Sequence, residues 1–172
     1  EYGSDVGTVT VDGCRFNGLT EKPGIAIGNL VGTMVVSDST FTDCQPGDQG
    51  KYMYETDSMV PSCEGDNKIV FTTADSLVKF ADVVNNGPNT FSGQKVVLGN
   101  DIDLVGIDWT PIGSVVSYPG KTFAGTFDGN NHTILNMKAS DSTTAHATAG
   151  FFGSITGKVL NLTIDRATIT ST

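Results

Sequence analysis

The chain has 172 residues and a formal net charge of −9 at pH 7. This acidic balance argues against binding to nucleic acid or to an anionic membrane surface, since both need patches of Lys and Arg. The sequence contains no run of about 18 apolar residues, so we expect no membrane insertion of this fragment, and its 21 glycines predict many turns.

Residues 1–44 form short predicted strands separated by turns, and they contain a repeat. The segment Thr8–Phe16 matches Thr33–Phe41 without a gap. Apolar and polar residues alternate in these segments, which is typical of β-strands. A fixed period between about 20 and 50 residues indicates stacked units that bury their apolar faces on one another. Short strand-like units at such a period predict a parallel β-solenoid.

Residues 45–62 interrupt the strand pattern and form a predicted irregular loop. A cluster of Pro, Gly and Asp opens the loop, and mostly polar residues follow. We therefore expect a boundary between one domain at residues 1–62 and a second at residues 63–172. Cys44 and Cys63 flank the loop, so a disulfide that closes it is one alternative, which would fit an extracellular protein, and free thiols are the other.

An amphipathic helix is predicted at about residues 72–84. Thr72 is a suitable N-cap, because its side chain can accept a hydrogen bond from an unpaired backbone N–H. The apolar residues that share one helix face are Leu77, Phe80, Ala81 and Val84. A lone short helix ahead of β-coils predicts a cap, because an open solenoid end exposes unpaired strand edges and apolar core.

A second repeat lies within the predicted coils after the helix. The segment Gly125–Met137 aligns with Gly150–Leu162, at the same offset as the first repeat. This alignment places Asn136 and Asn161 at equivalent positions of adjacent coils. We therefore expect their side chains to form a hydrogen-bonded structural ladder along the solenoid.

Five motifs occur in a fixed order, at Phe71–Leu77, Asp101–Leu104, Trp109–Gly113, Phe123–Ile134 and Gly150–Gly153. This ordered set resembles the GLUG-type repeat region of bacterial secreted and cell-surface proteins. The resemblance covers residues 69–170 and implies a right-handed parallel β-helix of the pectin-lyase-like kind. Such regions occur in adhesin-like proteins of gut bacteria and in immunoglobulin A peptidases. In the fifth motif, Phe151 stands where the family usually has Leu, which exchanges one apolar residue for another. The zinc motif His-Glu-x-x-His is absent, so peptidase activity is not carried over.

The pectin-lyase-like resemblance makes a polysaccharide lyase or glycoside hydrolase the alternative function. Asp101 and Asp103 are two residues apart on one strand face, as half of a Ca²⁺ site or a hydrolase pair would require. The competing interpretation is that they flank a turn, and Asp128 and His132 lie in a similar turn-forming segment. Because no cluster of Asp or Glu with Lys or Arg recurs on successive coils, we expect no catalytic residue, no metal and no cofactor.

Three aromatic residues are candidate ligand contacts. Tyr52 and Tyr54 lie on the irregular loop, where recognition residues are often placed, although both rings could instead cover the solenoid. Trp109 could stack on a sugar ring, although the family pattern favours a core or cap position.

The sequence therefore predicts an all-β fold, a right-handed parallel β-helix with a short capping α-helix. The expected function is a non-catalytic binding or scaffold module of a secreted or surface-attached bacterial protein. Its expected partners are glycans or surface proteins of a host or of microbes, and its expected location is extracellular or at the cell surface. Function is inferred here from the fold-level resemblance.

Overall fold

The computed structural model describes residues 7–19, 25–27, 32–46, 51–56, 62–113, 120–141 and 149–171. Within these ranges the chain is mostly β, with one short helix, and every aligned strand pair is parallel. The strands stack as a parallel β-solenoid, so the predicted fold class is confirmed. The right-handed winding and the capping role of the helix stay predictions.

The chain divides into two compact units, Glu1–Ile69 and Val70–Thr172. The division falls a few positions after the predicted boundary at residue 62. The shift has a physical reason, because the strand at Ser62–Glu64 pairs with an earlier strand at Gly32–Ser37 and therefore belongs to the first unit.

The strands of the first unit are β1 to β7. Their bounds are β1 Gly7–Asp12, β2 Arg15–Asn17, β3 Ile25–Ile27, β4 Gly32–Ser37, β5 Thr40–Thr42, β6 Tyr54–Thr56 and β7 Ser62–Glu64. The next strand, β8 Lys68–Phe71, contains the division between the units. In the first unit, β1 pairs with β4 and β4 with β7, while β2 pairs with β5 and β3 with β6.

The first repeat is a true solenoid period. Thr8 pairs with Thr33 across β1 and β4, and Phe16 pairs with Phe41 across β2 and β5. The Thr8 and Thr33 hydroxyls, 25 residues apart in sequence, form a hydrogen bond of 2.8 Å. The two Phe rings stack with centroids 4.8 Å apart, and Phe41 is fully buried. Strands of successive coils in this unit are therefore paired at the sequence offset that the repeat predicted.

The second unit holds helix α1 and strands β9 to β16. Their bounds are α1 Ala74–Asn86, β9 Lys95–Leu98, β10 Ile102–Asp103, β11 Thr126–Asp128, β12 Thr133–Leu135, β13 Lys138–Asp141, β14 Lys158–Leu160, β15 Thr163–Asp165 and β16 Thr168–Ser171. Where this unit is described, strands β9 to β16 form ladders in the orders β9-β11-β14, β10-β12-β15 and β13-β16.

The second repeat is not a solenoid period. Thr126 pairs with Lys158 and Thr133 pairs with Thr163, so both offsets are longer than that of the first repeat. Asn136 follows β12 whereas Asn161 follows β14, so the two residues occupy different corners of the coil. The predicted alignment is therefore wrong for this unit, because it matched two corners of similar sequence.

Helix α1 is amphipathic, as predicted, and its N-cap lies one residue later than expected. Thr73 has an extended backbone and its hydroxyl accepts a hydrogen bond from the Ser76 N–H at 3.2 Å. Such a cap stabilises a helix by about 1 kcal/mol. The buried helix residues are Ser76, Leu77, Phe80, Ala81 and Val84. Phe80 packs against Phe71, Phe91 and Phe123 in the aromatic core of the second unit.

Many strands end at a corner residue in the left-handed region of the backbone. These residues are Gly13, Gly18, Asp38, Asp43, Gly65, Asn136, Asn161 and Arg166. Among the described residues, four pairs of left-handed residues lie five positions apart: Gly13 and Gly18, Asp38 and Asp43, Asn131 and Asn136, and Asn161 and Arg166. Gly, Asn and Asp suit such corners because they adopt positive φ more readily than other residues.

Candidate functional site

A cleft in the second unit lies between α1 and the segment that follows β10. Its volume is about 350 Å³, which falls in the range of small-ligand sites. Its lining residues are Val78, Ala81, Asp82, Asn85, Asn86, Asp108, Trp109 and Thr110. The cleft brings together two parts of the chain that are distant in sequence.

One helix face supplies the first wall of the cleft. Val78, Asp82 and Asn85 are spaced by three or four residues, so they project from the same side of α1. This stripe lies next to the buried stripe that contains Leu77 and Phe80. The helix therefore uses one face for the core and the adjacent face for the cleft.

Trp109 fixes the second wall. Its ring stacks on Phe151 with centroids 5.0 Å apart and planes 3° apart. Its indole N–H donates to the Phe151 carbonyl at 3.1 Å, and its backbone N–H donates to the Lys138 carbonyl at 2.8 Å. The indole is buried and fully hydrogen-bonded, so this wall is held by the core.

Asn85 joins the two walls. Its side-chain N–H₂ donates to the Pro111 carbonyl at 3.0 Å, and its side-chain oxygen accepts from the Gly113 N–H at 2.9 Å. Both polar groups of the amide are thus used to hold the segment after Trp109 against the helix. A cleft whose walls are tied together in advance loses little conformational entropy when a ligand binds.

Two carboxylates lie at the cleft. Asp82 accepts a hydrogen bond from the side chain of Asn86 at 2.7 Å, and Asp108 forms an ion pair with Lys138 at 2.9 Å. Both carboxylates are exposed to solvent. Each therefore keeps acceptor capacity for a ligand, while Val78, which is exposed, adds apolar surface.

The aromatic candidates have different positions in the structure. Trp109 lines the cleft but is only 3% exposed, so its ring occupies a core position and offers no free face for stacking. Tyr52 is 1% exposed, and the expectation of an exposed contact at this ring is corrected, because the side chain packs into the first unit. The backbone of Tyr54 forms part of β6, and its side chain lies outside the described part of the structure.

Asp101 and Asp103 act as acceptors for structural groups. Asp101 accepts from the Thr133 N–H at 2.8 Å and contacts a ring nitrogen of His132 at 3.2 Å. Asp103 accepts from the side chain of Asn136 at 2.8 Å and from the Val105 N–H at 2.9 Å.

These hydrogen bonds lower the pKa values of both carboxyl groups. The backbone N–H of Thr133 is the main cause at Asp101, and the side chain of Asn136 is the main cause at Asp103. A general acid in a glycoside hydrolase needs a raised pKa, so the direction of both shifts is unsuited to that role.

The predicted asparagine ladder is wrong in its partners. Asn136 and Asn161 lie at different corners, and each donates to a carboxylate of the neighbouring coil instead of to the other Asn. The Asn136 side chain reaches Asp103 at 2.8 Å, and the Asn161 side chain reaches Asp128 at 3.0 Å. Asn side chains still connect coils, but through Asn-to-Asp pairs.

Cys44 and Cys63 are free thiols in the structure, which is the second of the two alternatives that the sequence left open. Cys44 is buried, and its Sγ lies 3.6 Å from the Phe16 carbonyl and 3.5 Å from the Thr42 carbonyl. Burial raises the pKa of the Cys44 thiol, which favours the unreactive protonated form. Cys63 lies in β7 and is exposed.

The sequence interpretation did not identify Asp82, Asn85 and Asn86. The available signal was a polar stripe beside the apolar stripe of the helix. That stripe alone is typical of any solvent-exposed helix face. Nothing local in the sequence indicates that Asn85 contacts Pro111, which lies 26 residues further along the chain.

Comparisons of the chain with protein-family models, with curated proteins and with solved structures find no significant match. Over the described ranges, no helix combines the length and the apolar character needed to cross a membrane. The same ranges contain no group of three or more His, Cys, Asp or Glu residues placed to hold a metal ion.

Proposed function

We propose that this chain is a non-catalytic binding and scaffold module of a secreted or surface-attached bacterial protein. Its partners would be glycans or proteins on the surface of a host or of microbes. The resemblance of residues 69–170 to GLUG-type repeat regions supports the extracellular or cell-surface location. The stacked parallel strands supply a rigid support for exposed segments.

The cleft between α1 and Asp108–Thr110 is the observation that carries the proposal. Its walls are held by the core contacts of Trp109 and by the two hydrogen bonds of Asn85. It also combines hydrogen-bonding groups with the apolar surface of Val78, as small binding sites do. The enzyme alternative is less well supported, since Asp101 and Asp103 already accept hydrogen bonds from structural groups.

The proposal can be tested by filling the cleft. Val78 is 36% exposed and lines the cleft, so Val78→Trp would occupy the space without removing a core side chain. Val105 is 69% exposed and does not line the cleft, so Val105→Trp is the matched control for an added surface indole. Purified protein would be passed over immobilised plant, mucosal and microbial polysaccharides and glycoproteins, with an assay for new reducing ends.

We expect at least one surface to retain the chain and the Val105→Trp variant, and to lose the Val78→Trp variant by tenfold or more. No new reducing ends should form. Cleavage of any polysaccharide, or retention that Val78→Trp leaves unchanged, would contradict the proposal.

A further inference from the structure

The lining of the cleft selects the chemistry of its ligand. Val78 supplies exposed apolar surface, and Asp82 and Asp108 provide carboxylates on the same cleft. An ionised carboxylate only accepts hydrogen bonds, so the matching ligand group must donate them. An apolar stem that ends in a donor-only head satisfies both parts of the lining.

The charges at the cleft favour a cationic head over a neutral one. Lys138 pairs with Asp108, whereas no ion pair is formed by Asp82 among the described residues. Within the same ranges, the Asp82 carboxylate accepts a hydrogen bond only from the neutral side-chain amide of Asn86. The cleft therefore keeps one uncompensated negative charge, and the net charge of −9 adds a long-range attraction for cations.

We infer that the cleft takes a protonated lysine side chain from a partner protein. This inference rests on the proposed binding function and names the ligand class of the same site. The four-carbon stem would lie against Val78, and the ammonium group would reach Asp82 and Asp108. An amino sugar has the same ammonium group, but its hydroxylated ring offers Val78 less apolar contact than an alkyl stem does.

The test compares small probes that separate stem from charge. Nα-acetyl-lysine methylamide carries both, Nα-acetyl-norleucine methylamide carries the stem alone, and glucosamine carries the ammonium group on a polar ring. Binding would be followed by NMR, from the side-chain amide signals of Asn85 and Asn86, at low and high salt. We expect the lysine probe to bind at least tenfold more tightly than the other two, and to weaken as salt rises.

Three variants connect this preference to the cleft. Asp82→Asn preserves the shape but removes the charge, and should weaken binding of the lysine probe about fivefold or more. Lys138→Gln removes the competing cation beside Asp108 and should strengthen binding about twofold or more. Val78→Trp should abolish binding.

The outcomes separate this inference from the proposed function. Tighter binding of glucosamine or of the norleucine probe, in a manner that Val78→Trp blocks, would overturn the lysine assignment and leave a binding cleft. Binding that is indifferent to Asp82→Asn and Lys138→Gln would do the same. Failure of all probes, with surface retention indifferent to Val78→Trp, would overturn both proposals.

Discussion

Asn136 and Asn161 show how one residue type serves a solenoid corner in two ways. Their φ angles are 54° and 49°, a conformation that costs most L-residues about 1–2 kcal/mol and Asn less. Their side chains donate to Asp103 and Asp128 of the neighbouring coil. The backbone preference therefore forms the corner, and the side chain ties adjacent coils together.

These two contributions can be separated at Asn136. Asn136→Gly keeps a residue that favours positive φ but removes the hydrogen bond to Asp103, and should lower the free energy of unfolding by about 1 kcal/mol. Asn136→Ala removes both contributions and should cost about 2 kcal/mol. Urea denaturation followed by circular dichroism measures both values. Equal losses in the two variants would show that the left-handed backbone contributes nothing.

The carboxylates at Asp101 and Asp103 give stability a defined pH dependence. Hydrogen bonding lowers the pKa of each group in the folded protein, so the unfolded chain binds more protons in acid. Their contribution is present above the unfolded pKa of about 4 and is lost as the pH falls through the folded pKa. We expect the slope of stability against pH below about 4 to flatten in the Asp101→Asn, Asp103→Asn double variant. Thermal melts between pH 5 and pH 2 would measure it, and an unchanged slope would contradict it.

Strands of the second unit place equivalent residues in unequal environments. Ile134 in β12 pairs in register with Ile164 in β15. Ile134 is fully buried, whereas Ile164 is 40% exposed, and the same contrast separates Phe127 from Val159 in the neighbouring ladder. Each interior position gains its full burial only when coils lie on both sides of it.

Alanine substitution at the paired isoleucines should reveal this contrast. Ile134→Ala removes a fully buried side chain and should lower the free energy of unfolding by about 3 kcal/mol. Ile164→Ala removes the same atoms from a partly exposed site and should cost about 1 kcal/mol. Denaturant midpoints of the two variants test the ranking, and a larger loss at Ile164 would contradict the described packing.

At the scale of the whole chain, sequence reasoning recovered what local patterns encode. Alternation of Val and polar residues predicted the parallel register of β1 with β4, and Phe in matching positions predicted that of β2 with β5. The apolar face of α1 predicted its buried residues. Both follow from the fixed periods of side chains along strands and helices.

Longer-range features were not recoverable in this way. The corners after β12 and β14 share similar residues because both need a left-handed conformation, so their likeness imitated a coil period. The cleft depends on the contact of Asn85 with Pro111 and Gly113, which no local pattern encodes. Tyr52 was placed on an exposed loop from its polar neighbours, yet its ring is buried.

The side of a coil, meaning the stretch between two left-handed corner residues that lie five positions apart, keeps the same length in both units. This constant length affects how the sequence of such a protein can diverge. The sequence offset of paired strands is shorter between Thr8 and Thr33 than between Thr126 and Lys158, while the sides themselves keep one length. The extra residues lie in the connections between sides, where each doubling of the length of a flexible connection costs only about 0.6 kcal/mol. Sequence changes in the surface segments of successive coils could therefore accumulate, and alter which partners bind there, without disturbing the stacked interior.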